Sequence, residues 1–297
     1  MNSYMEANAR ERILRLLDEG SFEEFLPPAE RVMSPHLAQL NAPVSFDDGV
    51  VIGRGQLQGK KVFAASQEGG FMGGAVGEVH GAKLVGLLKR AVIERADAVV
   101  LMLETGGVRL HEANAGLIAV SEVMRAVLDV RAAGIPVIAL IGGSNGCFGG
   151  MGIVARCANA IVMSEEGRLA MSGPEVIETA NGVEEFDSRD RALVWRTTGG
   201  KHRYLLGDCQ AIVADDIAAF RTAAVDAIQA SVKEDIELTL AAMEAEQRLL
   251  QQRLQDFGDK TDPLQIWESL GVPQPRQIPM LEADAFRRIA DQHRLKA

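Results

Sequence analysis

Glycine doublets beside apolar runs constrain the fold of this chain more than any other feature of its sequence. Four loops carry them, at residues 69–74, 105–109, 142–146 and 148–152. Each loop lies next to an apolar strand pattern or opens a helical pattern. Because glycine has no Cβ, such loops permit tight turns and let the backbone approach a ligand closely. The sequence therefore predicts strands that end in close backbone turns.

Short apolar strand patterns alternate with helical patterns over most of the chain. Residues 98–103 and 137–141 are continuous apolar runs, which are typical of strands covered on both faces. Residues 50–57 and 61–66 read as a hairpin that turns at residues 58–60. The alternation predicts an α/β fold with parallel strand pairs, and it leaves open a flat doubly wound sheet or a spiral.

Periodicity, proline and glycine positions predict the remaining elements. Residues 21–24 are expected to start a short helical turn, and four prolines make residues 27–45 an irregular connector. We expect an N-terminal segment at 1–45, a core at 46–232 and a helical extension at 233–297, within one overall domain. Further strands are predicted at 160–163, 168–171 and 207–213, and helices at 8–18, 76–95, 111–133, 149–157, 174–180, 233–257 and 282–292.

The composition is that of a soluble globular protein, with 47% apolar and 24% charged residues among 297. The net charge of −10 argues against nucleic acid or an anionic membrane surface as a partner. The apolar runs are too short to span a bilayer, so membrane insertion is not expected. Three scattered cysteines, Cys147, Cys157 and Cys209, favour neither a zinc ribbon nor a disulfide framework and fit a reduced cytoplasm.

Two of the glycine loops are candidates for binding a negatively charged oxygen. A helix that starts at Gly149 and Gly150 presents unpaired N–H groups and the positive end of its dipole. The turn of Gly106, Gly107 and Val108 follows a buried strand and offers another N–H. If the two loops converge, they form a site that stabilises an enolate or a tetrahedral oxyanion. The alternative is that these glycines only permit tight turns and close helix packing.

Residues 142–146 also fit the G-x-S-x-G pattern, in which Ser144 would be a nucleophile at the end of a strand. That hypothesis needs a later histidine as base, and His202 and His293 are the ones that follow. A second glycine doublet separates Ser144 from the helical pattern, which weakens the match. A serine hydrolase is therefore a minor alternative.

In their order along the chain, these loops resemble those of the carboxyltransferase family. The resemblance covers about residues 10–230. It implies a crotonase-like spiral of strand-strand-helix units with additional C-terminal helices. The segments that carry it are residues 12–24, 71–83, 105–112, 149–152 and 171–178.

Within that family, the chain is most similar to subunits that decarboxylate a malonyl group. The resemblance implies a malonyl thioester on an acyl carrier protein, which loses CO2 so that the thioester carbonyl becomes an enolate oxygen. It also implies backbone N–H donors to that oxygen from Gly107, Val108, Gly149 and Gly150, with the register open by one residue. The positions expected to bind substrate are Gly73, Gly74, Gly106, Met151, Lys201 and Arg203.

The same resemblance implies partners, because the chain matches only half of a complete carboxyltransferase. A related gamma subunit, an acyl carrier protein subunit and the transferase that serves it are expected. The acyl group is expected on a CoA-like prosthetic arm, with no cofactor bound directly. No metal is expected, because neither His80 nor His111 has a second histidine at ligand spacing. An acidic carrier would dock near Arg196 to Arg203 or on another subunit.

Three further interpretations stay open alongside decarboxylation. A subunit that hands the carboxylate to biotin would share the fold and the loops. A hydratase or isomerase of crotonase type would need carboxylates near the acyl group. A non-catalytic scaffold would use the long helix at residues 233–257 as its interface.

Overall fold

One sheet organises the part of the chain that the structure, a computed structural model, describes, which is residues 2–232 and 239–295. Within those residues it has seven strands, and their spatial order equals their order along the chain. The strands are Glu23–Phe25 (β1), Val50–Leu57 (β2), Lys60–Gln67 (β3), Ala98–Met102 (β4), Val137–Ile141 (β5), Ala160–Ser164 (β6) and Ala211–Val213 (β7).

The first three strands are antiparallel and the others run parallel to β3. The predicted hairpin is confirmed, with its turn at Gln58 and Gly59, whose φ angles are +50° and +74°. Asp18 accepts hydrogen bonds from both turn amides, at 3.0 and 2.9 Å. The turn therefore fixes the hairpin and holds the N-terminal segment against it.

Helices cover both faces of the sheet. Alternate strand residues face opposite cores: Val99 and Leu101 pack with the helices that follow β3 and β4, whereas Val100 packs with the first and eighth helices. The predicted strands buried on both faces are therefore confirmed. The helices are Ala9–Leu16 (α1), Glu78–Ile93 (α2), Asn114–Ala132 (α3), Gly150–Arg156 (α4), Pro174–Asn181 (α5), Arg191–Thr198 (α6), Gly200–Leu205 (α7), Ile217–Ser231 (α8), Leu240–Phe257 (α9), Pro263–Ser269 (α10) and Ala283–Ala290 (α11).

The strand order decides between the two sheet types that the sequence left open. A doubly wound sheet reverses its strand order at a switch point. Here the order from β3 to β7 never reverses, so right-handed crossovers place α2 and α3 on the same face. The chain is therefore wound as a spiral.

A second layer of backbone pairing follows the carboxyl ends of the parallel strands. Single bridges join Val76 to Val108, Thr105 to Cys147, and Cys147 to Leu169. These bridges align the segments after β3, β4, β5 and β6, which are the segments that hold the glycine loops. The spiral thus stacks the loops against each other at one edge of the sheet.

Two predicted elements are wrong, and several are missing from the prediction. Residues 21–24 do not start a helical turn, because Phe25 pairs with Ile52 at the edge of β2 and draws the segment into a strand. Residues 168–171 form isolated bridges instead of a strand of the main sheet. The sequence did not predict α6 or α7, whereas α10 lies within the helical extension expected at residues 233–297. The long helix is described as α9, and residues 233–238 of its predicted span lie outside the described residues.

No helix within residues 2–232 and 239–295 combines the length and the apolar character needed to cross a membrane.

Candidate active site

The glycine turn after β4 holds the Val108 N–H in place without giving it an acceptor among the described residues. Gly106 donates to the Gly73 carbonyl at 2.8 Å, and Gly107 donates to Thr105 Oγ1 at 3.0 Å. Val76 donates to the Gly107 carbonyl at 2.9 Å, which fixes the peptide plane before Val108. Within the described part of the chain, the Val108 N–H has no hydrogen-bond acceptor. Gly107 can hold this turn because its φ is +138°, a value that L side chains rarely adopt.

The loop after β5 presents further free N–H groups. Gly149 donates to the Met171 carbonyl at 2.9 Å, so its N–H is already occupied. Gly150 is the first residue of α4, and the N–H groups of Gly150 and Met151 have no acceptor among residues 2–232 and 239–295. These groups lie at the positive end of the α4 dipole.

The two loops lie directly side by side. Thr105 donates to the Gly146 carbonyl at 2.8 Å, and Phe148 donates to the Thr105 carbonyl at 2.9 Å. A Cβ on Gly149 would stand 3.0 Å from the Cα of Gly107. The free N–H groups of Val108 and Gly150 therefore belong to adjacent, mutually braced backbone segments. Such donors stabilise charge on an oxygen because they are fixed before the reaction begins.

Packing requires glycine at positions 150 and 74. A Cβ on Gly150 would stand 2.5 Å from Val120 Cγ1 on α3. A Cβ on Gly74 would stand 1.9 Å from the Glu104 carbonyl oxygen, and its φ is +70°. Gly73 contributes its carbonyl to Gly106. Gly73 and Gly74 thus shape the loop that supports the turn at Val108.

A buried ion pair between Asp48 and Arg109, the residue after Val108, supports the Val108 turn. Arg109 donates from Nη1 to both Asp48 carboxylate oxygens at 2.8 and 3.0 Å, and from Nη2 to the Asp48 carbonyl at 2.9 Å. The His80 N–H donates to the same carboxylate at 2.8 Å. Burial raises the pKa of Asp48, an effect that Arg109 opposes. Burial also holds the pKa of His80 well below its usual range, so His80 is neutral.

A buried carboxylate supports the loop that precedes Gly149. Glu104, which is 3% exposed, forms an ion pair with the equally buried Arg12. It accepts hydrogen bonds from the Asn145 N–H at 3.0 Å and from the Ser144 hydroxyl at 3.1 Å. The Glu104 N–H in turn donates to Gln67 Oε1 at 3.0 Å. Glu104 thus anchors residues 144–146 to the end of β4.

The serine nucleophile hypothesis lacks its base. Ser144 Oγ binds Glu104, and no histidine in the described residues hydrogen-bonds to it. His202 Nδ1 instead accepts from the Trp267 indole at 3.1 Å, and burial lowers the His202 pKa to about 3. His293 bonds to the Leu270 carbonyl. The residues of the G-x-S-x-G pattern therefore act in loop structure.

The predicted substrate-binding residues do not all lie together. Gly73, Gly74 and Gly106 join the loops at Val108 and Gly150, whereas the Met151 side chain is fully buried in the hydrophobic core. Lys201 Nζ lies 3.1 Å from a Glu165 oxygen and donates to the Pro279 carbonyl at 3.0 Å. Arg203 lies 3.2 Å from Asp208 and lines a groove together with Met171.

A predicted docking patch around Arg196 is also engaged within the chain, because Arg196 bonds to Asp262 at 3.0 Å. Among the residues that the structure describes, no cluster of three His, Cys, Asp or Glu side chains is placed to hold a metal ion.

Exposed apolar side chains border the two loops. Leu110, two residues beyond Val108, is 84% exposed, and Met171, whose carbonyl binds Gly149, is 68% exposed. Leu117, Ile118 and Ile153 on α3 and α4 are also largely exposed. A group of exposed apolar side chains beside such loops is typical of an interaction site. We call Leu110, Leu117, Ile118, Ile153 and Met171 the apolar rim.

The spiral fold and the paired glycine loops define the class of protein to which this chain belongs. The model of the carboxyl transferase domain matches residues 6–230, and the chain belongs to that family. The crotonase-like fold predicted from the sequence is confirmed by the solved structures that it matches.

Particular relatives narrow the class further. The chain is 43% identical over 313 aligned residues to the malonyl-S-ACP:biotin-protein carboxyltransferase MADC of Malonomonas rubra, covering 99% of this chain and 97% of that protein. It matches a chain of the Pseudomonas malonate decarboxylase hetero-tetramer in complex with malonate, with 40% identity, a TM-score of 0.79, and 88% and 93% coverage of the two chains. It also matches the Pseudomonas MdcD-MdcE hetero-dimer, with 37% identity, a TM-score of 0.66, and 84% and 96% coverage.

Proposed function

We propose that this chain is the beta-type subunit of a malonate decarboxylase, which converts malonyl-S-acyl carrier protein to acetyl-S-acyl carrier protein and CO2. The similarity to malonate decarboxylase chains covers most of both chains, which favours this reaction over a hydratase, a hydrolase or a scaffold. The observation that carries the chemistry is the contact between the Gly107 and Gly149 loops, which brings two free N–H groups to one edge.

In this proposal, Val108 and Gly150 supply the oxyanion donors. When the bond between the carboxylate and the α-carbon breaks, CO2 leaves and the electron pair moves toward the thioester carbonyl. The carbonyl oxygen becomes the enolate oxygen, which accepts hydrogen bonds from the two N–H groups. A proton then adds to the α-carbon and gives the acetyl thioester. Each donor of this kind contributes about 3 kcal/mol to the transition state. Gly107 and Gly149 hold the loops together, since their own N–H groups are occupied.

The partners follow from the same proposal. The apolar rim beside the free donors is the surface that a related gamma subunit would cover, and the structural relatives are themselves hetero-oligomers. The acyl carrier protein with its CoA-like arm would deliver the malonyl group, and a transferase subunit would load that carrier. A cytoplasmic location suits the cysteines at 147, 157 and 209, which are free thiols. The division into segments at residues 45 and 232 stays a prediction.

A second candidate function is carboxyl transfer to biotin. The Malonomonas rubra relative is a malonyl-S-ACP:biotin-protein carboxyltransferase and is 43% identical over nearly the whole chain. The oxyanion chemistry on the malonyl group would be the same in both reactions, and they differ in whether the carboxylate reaches biotin or leaves as CO2.

The dependence of CO2 release on biotin distinguishes the two functions. We would mix this chain with its related subunit, add malonyl thioester, and measure CO2 with and without avidin. Decarboxylation predicts release that avidin does not change and that Ser144→Ala retains. Release that avidin blocks would assign the chain to biotin-dependent transfer, and a Ser144→Ala variant without activity would restore the hydrolase hypothesis.

A further inference from the structure

A groove beside the glycine loops is lined by Arg156, Arg203 and Asp208, and Arg253 reaches the same carboxylate from an adjoining pocket that Glu246 also lines. Asp208 lies 3.2 Å from Arg203 Nη1, 3.3 Å from Arg253 Nη1 and 4.0 Å from Arg156 Nη1. Arg156 also donates to the Asp208 carbonyl at 2.8 Å. Asp208 is the acidic side chain that lines this groove within the described residues. Three guanidiniums against the carboxylates of Asp208 and Glu246 leave a local surplus of positive charge, although the chain as a whole is acidic. We call this the arginine groove.

The two arginines that line the groove are open to solvent. The side chains of Arg156 and Arg203 are 46% and 20% exposed. Guanidinium groups form strong, charge-assisted hydrogen bonds with phosphate and carboxylate groups. The groove therefore suits an anionic ligand.

The arginine groove is continuous with the candidate active site. Its volume is about 330 Å³, and Met171 lines it, the same residue whose carbonyl binds the Gly149 N–H. Ile153 on α4 forms another part of its apolar wall. From Gly150 to Arg156, α4 advances roughly 9 Å at about 1.5 Å per residue. A ligand that reaches from the free N–H groups to the arginines would thus need a reactive carbonyl, a stem and an anionic end.

We propose that the arginine groove binds a phosphate ester of the CoA-like arm that carries the malonyl group. This inference rests on the proposed function, because the thioester end must lie at Val108 and Gly150. The stem would then pass Met171 and Ile153, and the phosphate would accept hydrogen bonds from Arg203 and Arg253. Free CoA has the same phosphate chemistry, so the experiment must separate the two sources.

Equilibrium binding to the complex of this chain with its related subunit tests the groove without turnover. Calorimetry would compare CoA, which carries phosphates, with pantetheine, which does not. We expect Arg253→Met to weaken CoA binding about tenfold, the size expected for one charge-assisted hydrogen bond, and to leave pantetheine unchanged. Asp208→Asn should strengthen CoA binding, because it removes the competing carboxylate. Arg248→Met is the matched control on α9, since Arg248 is exposed and pairs with Glu244 at 3.9 Å.

The outcomes are distinct for the groove and for the proposed function. An Arg253→Met complex that binds CoA normally, or that loses CoA and pantetheine equally, overturns the groove. A complex that binds CoA through Arg253 but releases no CO2 supports the groove and counts against decarboxylation. If the phosphate belongs to the carrier protein's arm, the KM for the malonyl carrier protein should rise about tenfold in Arg253→Met, as expected for the loss of one charge-assisted hydrogen bond. A rise for malonyl-CoA alone would show that free CoA is the ligand and overturn the arm assignment.

Discussion

Gly149 and Gly107 are in backbone contact, such that a Cβ on Gly149 would stand 3.0 Å from the Cα of Gly107. Their closeness brings together the loops that follow β4 and β5, and each loop carries one of the free N–H groups. A side chain at this point would separate the loops. The geometry of the proposed oxyanion donors therefore depends on a bare backbone at residue 149.

The contact predicts a specific effect of Gly149→Ala. The methyl group would push the loops apart, and the backbone of Gly149, at φ +64° and ψ −145°, lies in a sparsely populated region that costs a non-glycine residue about 1–3 kcal/mol. We expect kcat for CO2 release to fall at least about tenfold, which corresponds to a loss of about 1.4 kcal/mol in transition-state binding. KM should change little.

Gly134→Ala is the matched control for this variant. Gly134 has a φ of +76° but nothing within 4 Å of its Cβ position, and it lies at the end of α3. It shares a positive φ with Gly149 but lacks the loop contact. Urea unfolding and CO2 release would be measured for both variants. Equal losses of kcat in the two would contradict a role for the Gly107 contact.

The apolar rim predicts which surface the related subunit covers. Leu110→Glu should weaken association of the two subunits, because a charge would be buried in the interface. Ile93→Glu is the control, since Ile93 is 79% exposed at the far end of α2. Light scattering of the mixed subunits measures the complex directly. Association that withstands Leu110→Glu but is lost in Ile93→Glu would place the interface elsewhere.

Buried neutral histidines predict how stability depends on pH. Burial lowers the pKa of His202 to about 3 and that of His80 well below its usual range. Below about pH 6.5, these histidines therefore bind protons in the unfolded chain but stay neutral in the folded chain. This contribution to stability is present well above the unfolded pKa of about 6.5 and is lost as pH falls through that value toward the folded pKa. At pH 5.5, His202 should have lost about 1.4 kcal/mol of the free energy of unfolding, and His80 should act in the same direction.

His202→Asn isolates one of these contributions. The asparagine oxygen can replace Nδ1 as the acceptor of the Trp267 indole N–H, but it does not titrate. Urea unfolding at pH 5.5 and 7.5 should show a smaller difference for this variant than for the wild type. The raised pKa of Asp48 in the folded chain changes the pH dependence of stability in the opposite direction. Because Asp48 is present in both the variant and the wild type, its effect cancels in the comparison. An unchanged difference would mean that His202 titrates normally.

The sequence predicted the part of the fold that depends on local pattern. The apolar runs at residues 98–103 and 137–141 became β4 and β5 because both faces of a parallel sheet are buried. The prediction of a helical turn at residues 21–24 was wrong, because the pairing of Phe25 with Ile52 outweighs the local helical preference. The sequence could not distinguish a spiral from a doubly wound sheet, because the two differ in strand order, which local sequence patterns do not encode.

The sequence located the loops of the candidate site but not the register of its donors. Which N–H is free depends on Thr105 Oγ1 and the Met171 carbonyl, and the Met171 partner is distant in the chain. The supports at Glu104 and Asp48 were also missed. Glu104 had a signal, because it is a charged residue at the carboxyl end of a buried strand. Asp48 had none, since its partner Arg109 is 61 residues away.

The most direct test of the account removes a single N–H from residue 150. Proline suits this position, because Gly150 is the first residue of α4, and Val120→Ala makes room for the added atoms. Gly150→Pro and Gly150→Ala would each be combined with Val120→Ala, so that the pair differs mainly in the N–H. Single-turnover CO2 release from malonyl thioester in the assembled complex should be about 100-fold slower with proline. Equal rates for the two would contradict an oxyanion role for the Gly150 N–H.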